Sequence, residues 1–285
     1  MMRLLLLGIL LVIGWQSHAD RFASVKIKVE QAAGNVYMLQ GAGGNIAVLA
    51  TDQGLLMVDD QFAPLAERIE GAMKGISSVD NPGLKYIVNT HFHKDHTGGN
   101  ASFGAKAPVF AHENVRQRLA GEDPGNAKTL PVVTYQNGLT VYLADEEIQI
   151  THLPGGHTDG DSVVYFKNAN VLHTGDLFFE LGFPYVDLTH GGNVKAYLAN
   201  VRALLDKVPD DVKIIPGHGK LTDKARYEVF ARMIDYSIKR VEKALAEGKS
   251  EQDILAMGIG KDFEHWSWSF INEERWLQTL ITDLK

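Results

Sequence analysis

One run of six residues, His91-Phe92-His93-Lys94-Asp95-His96, constrains this chain more than any other feature. It follows the apolar stretch Tyr86-Ile87-Val88 and the polar pair Asn89-Thr90. Imidazoles and a carboxylate at this density are the donors that hold a metal ion. His91 and His93, two apart in an extended segment, point to the same side and can chelate one ion. Asp95 and His96 lie in a turn marked by Gly98-Gly99 and can face a neighbouring ion. A merely solvated loop has no need of three imidazoles beside a hydrophobic strand. The run therefore calls for a scaffold whose strands end together at one edge.

Four further segments sit in the same relation to apolar strands: Val58-Asp59-Asp60, Gly156-His157-Thr158, Thr174-Gly175-Asp176 and Pro216-Gly217-His218-Gly219. Taken singly, a Gly-His or Gly-Asp at a strand end reads as a turn. Taken with the first run, they supply what a two-ion site lacks: a third histidine, a shared carboxylate and a histidine for the second ion. In α/β architectures such strand-end loops gather over a rigid scaffold and carry function. The chain has no cysteine, so His, Asp and Glu are the available ligands.

The remaining pattern is mixed. Val36–Leu39, Ile46–Leu49 and Leu55–Val58, separated by Gly-rich turns, predict an antiparallel run of hairpins. A helix is expected over Pro64 to Lys74, then a buried strand at Tyr86–Val88. Strands at 108–110, 139–143, 147–153, 162–166 and 171–172 follow, with a helix over 113–119. Val194, Tyr197, Leu198, Val201, Leu204, Leu205 and Val208 recur at helical spacing behind a capping Asn193. Strand Lys213–Ile215 precedes a second amphipathic helix from about Thr222, stopped by Gly248, and a last helix opens at Asn272. The domain reading is a mixed αβ body over residues 20–223 and a helical extension over 224–285 that packs on it.

The start of the chain reads as a leader. Arg3, an apolar run from Leu4 to Trp15 and Ser17-His18-Ala19 have the layout of a secretory signal peptide, residues 1–19, cleaved after Ala19. The apolar run is shorter than the roughly 20 residues a spanning helix needs. Without cysteine the chain has no lipoprotein acylation site. Export to the periplasm or medium, with no lasting membrane attachment after cleavage, is the expectation. The formal charge of −7 becomes −8 once Arg3 leaves with the leader. An acidic chain of this kind does not present the clustered cations that nucleic acid requires, so a small-molecule substrate is expected. The sequence leaves the oligomeric state open.

In their order, HFHKDH, GGHT, HTGD and PGHG resemble the signature of the metallo-β-lactamase superfamily, over roughly Val36 to Gly219. The resemblance implies a four-layer αββα sandwich of the α/β (α+β) class with metals at one edge of two packed sheets. Carried onto this chain, it implies that His91, His93 and His157 hold one ion, that Asp95, His96 and His218 hold a second, and that Asp176 bridges them. Asp59 matches the strand-end aspartate that supports the ligand loops. The β-lactamase subclass most similar to this chain carries cysteine at the position of Asp176 and a different pattern at Asp95-His96. It also usually carries a carboxylate-binding lysine in the stretch Leu177–His190, which here has none. The retained Asp95, His96 and Asp176 resemble instead the ligand set of glyoxalase II and lactonases.

The resemblance implies a hydrolase in which two ions, on the order of 3.5–4 Å apart, activate a shared water against a lactam, lactone, ester or thioester carbonyl. Asp95 is read as a ligand first and a catalytic proton acceptor second. Two Zn²⁺ are favoured because imidazoles dominate, while the carboxylates leave iron or manganese open. A glyoxalase II-like thioesterase and a non-hydrolytic iron-binding redox or accessory protein are the alternatives. For substrate contacts, the aromatic loop Leu177–Tyr185 either lines the site or packs under the sheet. The N-terminus of the Val194 helix, with Gly191-Gly192, is a candidate anion site. His112 and His190 read as structural or surface histidines, and Trp266, Trp268 and Trp276 as packing residues.

Overall fold

Strands buried on both faces read as unbroken apolar runs, and several such strands build the centre of this protein. A computed structural model describes residues 20–285; the expected leader, residues 1–19, lies outside the described residues. Strands β1 (Lys28–Ala33), β2 (Val36–Gln40), β3 (Ile46–Thr51) and β4 (Gly54–Val58) form the expected antiparallel meander. Helix α1 (Ala66–Ile76) crosses to β5 (Leu84–Val88), parallel to β4 with Val58 opposite Val88. The one-turn helices α2 (Lys94–Thr97) and α3 (Asn100–Phe103) lead to β6 (Val109–His112), and α4 (Glu113–Glu122) leads to β7 (Val133–Tyr135). These strands make one sheet in the order β1 to β7.

The second sheet contains β8 (Gly138–Leu143), β9 (Glu146–His152), β10 (Ser162–Phe166) and β11 (Val171–His173). After α5 (Val194–Lys207) the chain adds β12 (Lys213–Ile215) and β13 (Thr222–Asp223), giving the order β13-β12-β11-β10-β9-β8. Helices α6 (Lys224–Ala246), α7 (Glu251–Met257) and α8 (Glu273–Leu284) close the chain.

The side-chain period of two distributes each strand between layers. Ala47, Leu49, Leu56 and Val58 meet Ile148, Ile150, Val164 and Phe166 between the sheets. Their neighbours Ile46, Val48, Leu55 and Met57 face Ile69 and Met73 of α1. On the other side Val163, Leu172 and Ile214 pack against α5 and α6 through Tyr197, Val201, Phe230 and Ile234. The result is the expected αββα sandwich. The segment after Asp223 joins this outer core through Trp266, Trp276, Leu277 and Ile281. Truncating a buried aromatic of this kind typically costs about 3–5 kcal/mol, so the extension is built into the fold. Among the described residues no helix is long and apolar enough to cross a membrane.

Two histidines at the ends of β6 and β9 give the fold an acid sensitivity. His112 accepts from the Asn114 amide (3.2 Å) as the cap of α4, and its ring stacks on His152 at 3.7 Å. His152 Nδ1 donates to the Asp161 carbonyl at 2.8 Å. Burial holds both imidazoles below their ordinary range, and at His152 the facing His112 adds to this. Glu113 and Asp159 pull the other way and do not prevail. Below about pH 6.5 the unfolded chain therefore binds protons that the folded chain refuses, and stability falls with pH. Metal-free protein should lose a few °C more in Tm between pH 7 and 5.5 than its His152→Gln variant. Equal losses would show that the pair does not titrate on unfolding.

Candidate metal centre

Every polar segment singled out in the sequence ends at the same edge of the sandwich. His91 and His93 follow β5, Asp95 and His96 ride on α2, and His157 lies between β9 and β10. Asp176 and His218 follow β11 and β12, which pair in parallel, so their loops emerge side by side. Of these, Asp95 and His96 were expected in a turn; the backbone instead makes one helical turn begun by His93.

Two groups converge. His93 Nδ1 lies 3.1 Å from His91 Nε2 and 2.9 Å from His157 Nε2, and Asp176 Oδ2 lies 3.4 Å from His157 Nε2. Beside them, His96 Nε2 is 3.4 Å from His218 Nε2, and Asp95 Oδ2 is 3.3 Å from the latter. The Asp176 carboxylate reaches into this second group as well, with Oδ1 3.1 Å from His96 Nε2 and Oδ2 3.4 Å from His218 Nε2. These are two groups that could each hold a metal ion, with one carboxylate between them.

The donor set fits such ions. In the first group the ring nitrogens at these separations set lone pair against lone pair, and Asp176 Oδ1 is buried without a hydrogen bond. A cation in each group satisfies both. Burial keeps His91 well below the ordinary imidazole range and His157 down at about 4, so both offer free lone pairs. Burial works to raise the Asp176 and Asp95 carboxyls, but the surrounding imidazoles, His96 foremost, outweigh it. Asp176 is held well below the usual carboxylate range and Asp95 at about 2. His96 and His218 behave in the opposite way. Burial lowers them, yet the facing carboxylates push His96 up and His218 to about 9, so an ion entering this group must displace protons.

The outward nitrogens of His91, His93, His96 and His157 are tied down, which fixes the tautomers of those rings. His96 Nδ1 donates to Asp59 Oδ2 at 2.7 Å. His91 Nδ1 lies 3.1 Å from Thr90 Oγ1, which donates to the same Asp59 oxygen at 2.8 Å. Asp59 therefore orients one histidine of each group, as the resemblance implied. It does so from a left-handed backbone, φ 61°, a conformation uncommon outside glycine. His157 Nδ1 donates to the Tyr185 carbonyl at 2.7 Å, and His93 Nε2 donates to Asp187 Oδ2 at 3.0 Å. Asp161, pushed up to about 8 by burial, accepts from the His157 and Thr158 amides and sets that loop.

His190, expected as a structural or surface histidine, donates from Nδ1 to Asp187 Oδ2 at 2.7 Å and also lines the cavity over the metal groups. Two expectations need correction. The N-terminus of α5 is not a free anion site. The Asp283 carboxylate of α8 already sits there, accepting from the Val194 amide at 2.7 Å and from Asn193 Nδ2. Trp266 and Trp276 are packing residues as expected, but Trp268 lines the cavity. The aromatic loop divides: Phe178 and Phe183 are core, whereas Phe179 and Tyr185 face the cavity. Asp187 and Phe270 were missed because their partners are supplied by distant segments, and Asp161 because its partners, the nearby His157 and Thr158 amides, are backbone groups that no side-chain motif marks.

The cavity measures about 740 Å³, with Asp95, Asp176, His93 and His218 exposed to it. A model of the metallo-beta-lactamase superfamily matches residues 34–218. A hydroxyacylglutathione hydrolase from Polaromonas sp. is 33% identical over 146 residues, which are 50% of this chain and 52% of that enzyme. The match thus spans about half the length of that relative. Among solved structures, a metallo-beta-lactamase from Pontibacter korlensis superposes with a TM-score of 0.63 at 21% identity, covering 74% of this chain and 99% of its own. A sec-alkylsulfatase from Pseudomonas sp. superposes at 0.70 with 16% identity, covering 90% of this chain and 50% of its own. At such identities these structures speak to the fold alone. With the family model spanning the strands and loops that carry both donor groups, the chain belongs to the metallo-beta-lactamase superfamily.

Proposed function

We propose that the protein is an exported two-metal hydrolase of carbonyl compounds, acting on a lactone, ester or thioester, with His91, His93, His157 and Asp176 around one zinc and Asp95, His96, His218 and Asp176 around the other. The observation that carries this reading is the Asp176 carboxylate set between two donor groups on the floor of an open cavity. The chemistry supplied by such ions when bound is Lewis-acid activation of a water and of a carbonyl. Asp59, Thr90 and Asp187 hold the imidazoles in register. Asp95, 30% exposed at the cavity, accepts a proton from the attacking water. A C–O bond forms at the carbonyl, the C–O or C–S bond to the leaving group breaks, and the water's other proton leaves with that group.

The related hydroxyacylglutathione hydrolase supports an acyl substrate. A β-lactam is the weaker fit, because it carries a carboxylate beside its ring. The cations lining the cavity are Arg21, whose guanidinium stacks on Phe22 and Phe62, and Lys94, 3.8 Å from Glu122.

Zinc-loaded protein should cleave at least one lactone, ester or thioester with kcat/KM within the enzymatic range of ~10⁴–10⁸ M⁻¹s⁻¹, and β-lactams at least about tenfold more slowly. The His96→Ala variant controls for contaminants. Elemental analysis of native protein should find zinc, and exported protein should begin at Asp20. Fast penicillin turnover with negligible lactone or thioester cleavage would overturn the substrate order. A coloured, iron-loaded native protein without hydrolysis would favour a redox role.

A further inference from the structure

The rings beside the metal groups form a continuous series. Phe179 stacks flat on His218, centroids 5.2 Å apart and planes 9° apart. Trp268 is 6.0 Å from Phe179, Phe270 is 5.7 Å from Trp268, and Tyr185 is 5.5 Å from Phe270. Tyr185 returns to His93 at 5.8 Å. The arc therefore begins on a histidine of one donor group and ends on a histidine of the other. Its two middle rings come from the C-terminal extension, and all four arc residues line the cavity.

The arc is held from behind. Trp268 Nε1 donates to the Phe183 carbonyl at 2.9 Å, and the Phe183 amide donates to the Trp266 carbonyl at 2.9 Å. Gly182 permits this close approach, since a Cβ there would collide with the Trp266 carbonyl. Arg275 Nη1 donates to the Phe270 carbonyl at 2.9 Å, and its guanidinium lies over the Phe270 and Tyr185 rings at 4.4 and 5.5 Å. Phe270 nonetheless remains 47% exposed. The wall is thus ordered before any ligand arrives, so its apolar area adds to affinity at little entropic cost. Aromatic faces in this position take either a flat apolar group or a cation. Arg275 already occupies the cation position over Phe270 and Tyr185, which disfavours a second positive charge there.

We propose that this aromatic arc makes the C-terminal extension the specificity element of the enzyme, selecting substrates whose acyl group carries a flat apolar substituent beside the scissile carbonyl. The inference rests on the carbonyl-hydrolase reading and refines it. Thioesters of one small thiol, differing only as acetyl, phenylacetyl and trimethylammonioacetyl, test it on the zinc-loaded full chain. The phenylacetyl compound should exceed the acetyl one by about tenfold or more in kcat/KM, a margin of the size hydrophobic pockets give. Phe270→Ala should reduce that ratio about tenfold with metal content retained, and Trp268→Leu should do the same. A phenylacetyl-to-acetyl ratio near unity, a ratio unmoved by Phe270→Ala, or a preference for the trimethylammonio compound would overturn the proposal.

A binding measurement separates the two readings. With protein beginning at Asp20, and so without Trp15, phenylacetate should quench tryptophan fluorescence at lower concentration than acetate, and Trp268→Phe should remove the response, since Trp266 and Trp276 are buried. If no thioester, ester or lactone is cleaved but this quenching is seen, the hydrolase reading fails and the wall stands. If cleavage is seen with no difference between the two carboxylates, the wall fails alone.

Discussion

The Gly44→Ala protein should fold, keep the ion among His91, His93 and His157, and lose the one among Asp95, His96 and His218. A Cβ on residue 44 would fall far inside van der Waals contact with Cε1 and Nε2 of the His96 ring. Neither side can yield freely. The backbone at 44 is tied by its amide to the Asp95 carbonyl and by its carbonyl to Gln61 Nε2. The ring is tied through Nδ1 to Asp59, and it is fully buried. His96 must therefore swing away from its donor position. Displacing a reacting group by about 1 Å can cost about 10²-fold in rate, and loss of an ion costs more, so hydrolysis should fall by at least ~10²-fold. Elemental mass spectrometry after gel filtration reads the metal, and circular dichroism reads the fold. Two retained ions with the wild-type rate would mean that His96 is not a ligand in its observed position.

Asp176→Ala should weaken both ions together and abolish turnover. Its oxygens lie within 3.1–3.4 Å of nitrogens from His96, His157 and His218, drawn from both groups. Removing the carboxylate leaves mutually facing imidazoles with no shared anion. Lewis-acid activation contributes several kcal/mol to such reactions, and about 1.4 kcal/mol is a factor of ten. A fall of about 10³-fold or more follows. The Gly217→Ala variant offers an independent route to the same site, because a Cβ there would collide with Asp176 Oδ1 and the Gly175 carbonyl. If Asp176→Ala kept two tightly held ions, the shared role would be wrong and each group would have to be complete without it.

Much of this site was legible because its chemistry is written locally. His91, His93, Asp95 and His96 are neighbours on the chain, and a strand end followed by one turn of helix points them together whatever the rest of the protein does. Both-face burial likewise made β3, β4 and β10 readable as apolar runs. Polar edges were less readable. β1 is largely exposed and β7 is a three-residue strand, so neither has an apolar period to detect. Helix α7 was missed although Ser250 and Asp253 form a capping box, because only Ile254 is buried within it.

By itself the sequence determined the donor types, their order and the edge at which they meet, since ligand spacing and strand periodicity are properties of consecutive residues. Tertiary structure alone decided how those donors are oriented and what surrounds them. Asp187 reaches His93 across 94 positions, and Asp283 fills the α5 terminus from 90 positions away. Trp268 and Trp276 have the same apolar character in the sequence, yet one lines the cavity and the other is fully buried. Hydrophobicity states that a ring avoids water but not whether protein or substrate will cover it. That choice depends on the closure of distant segments around the site.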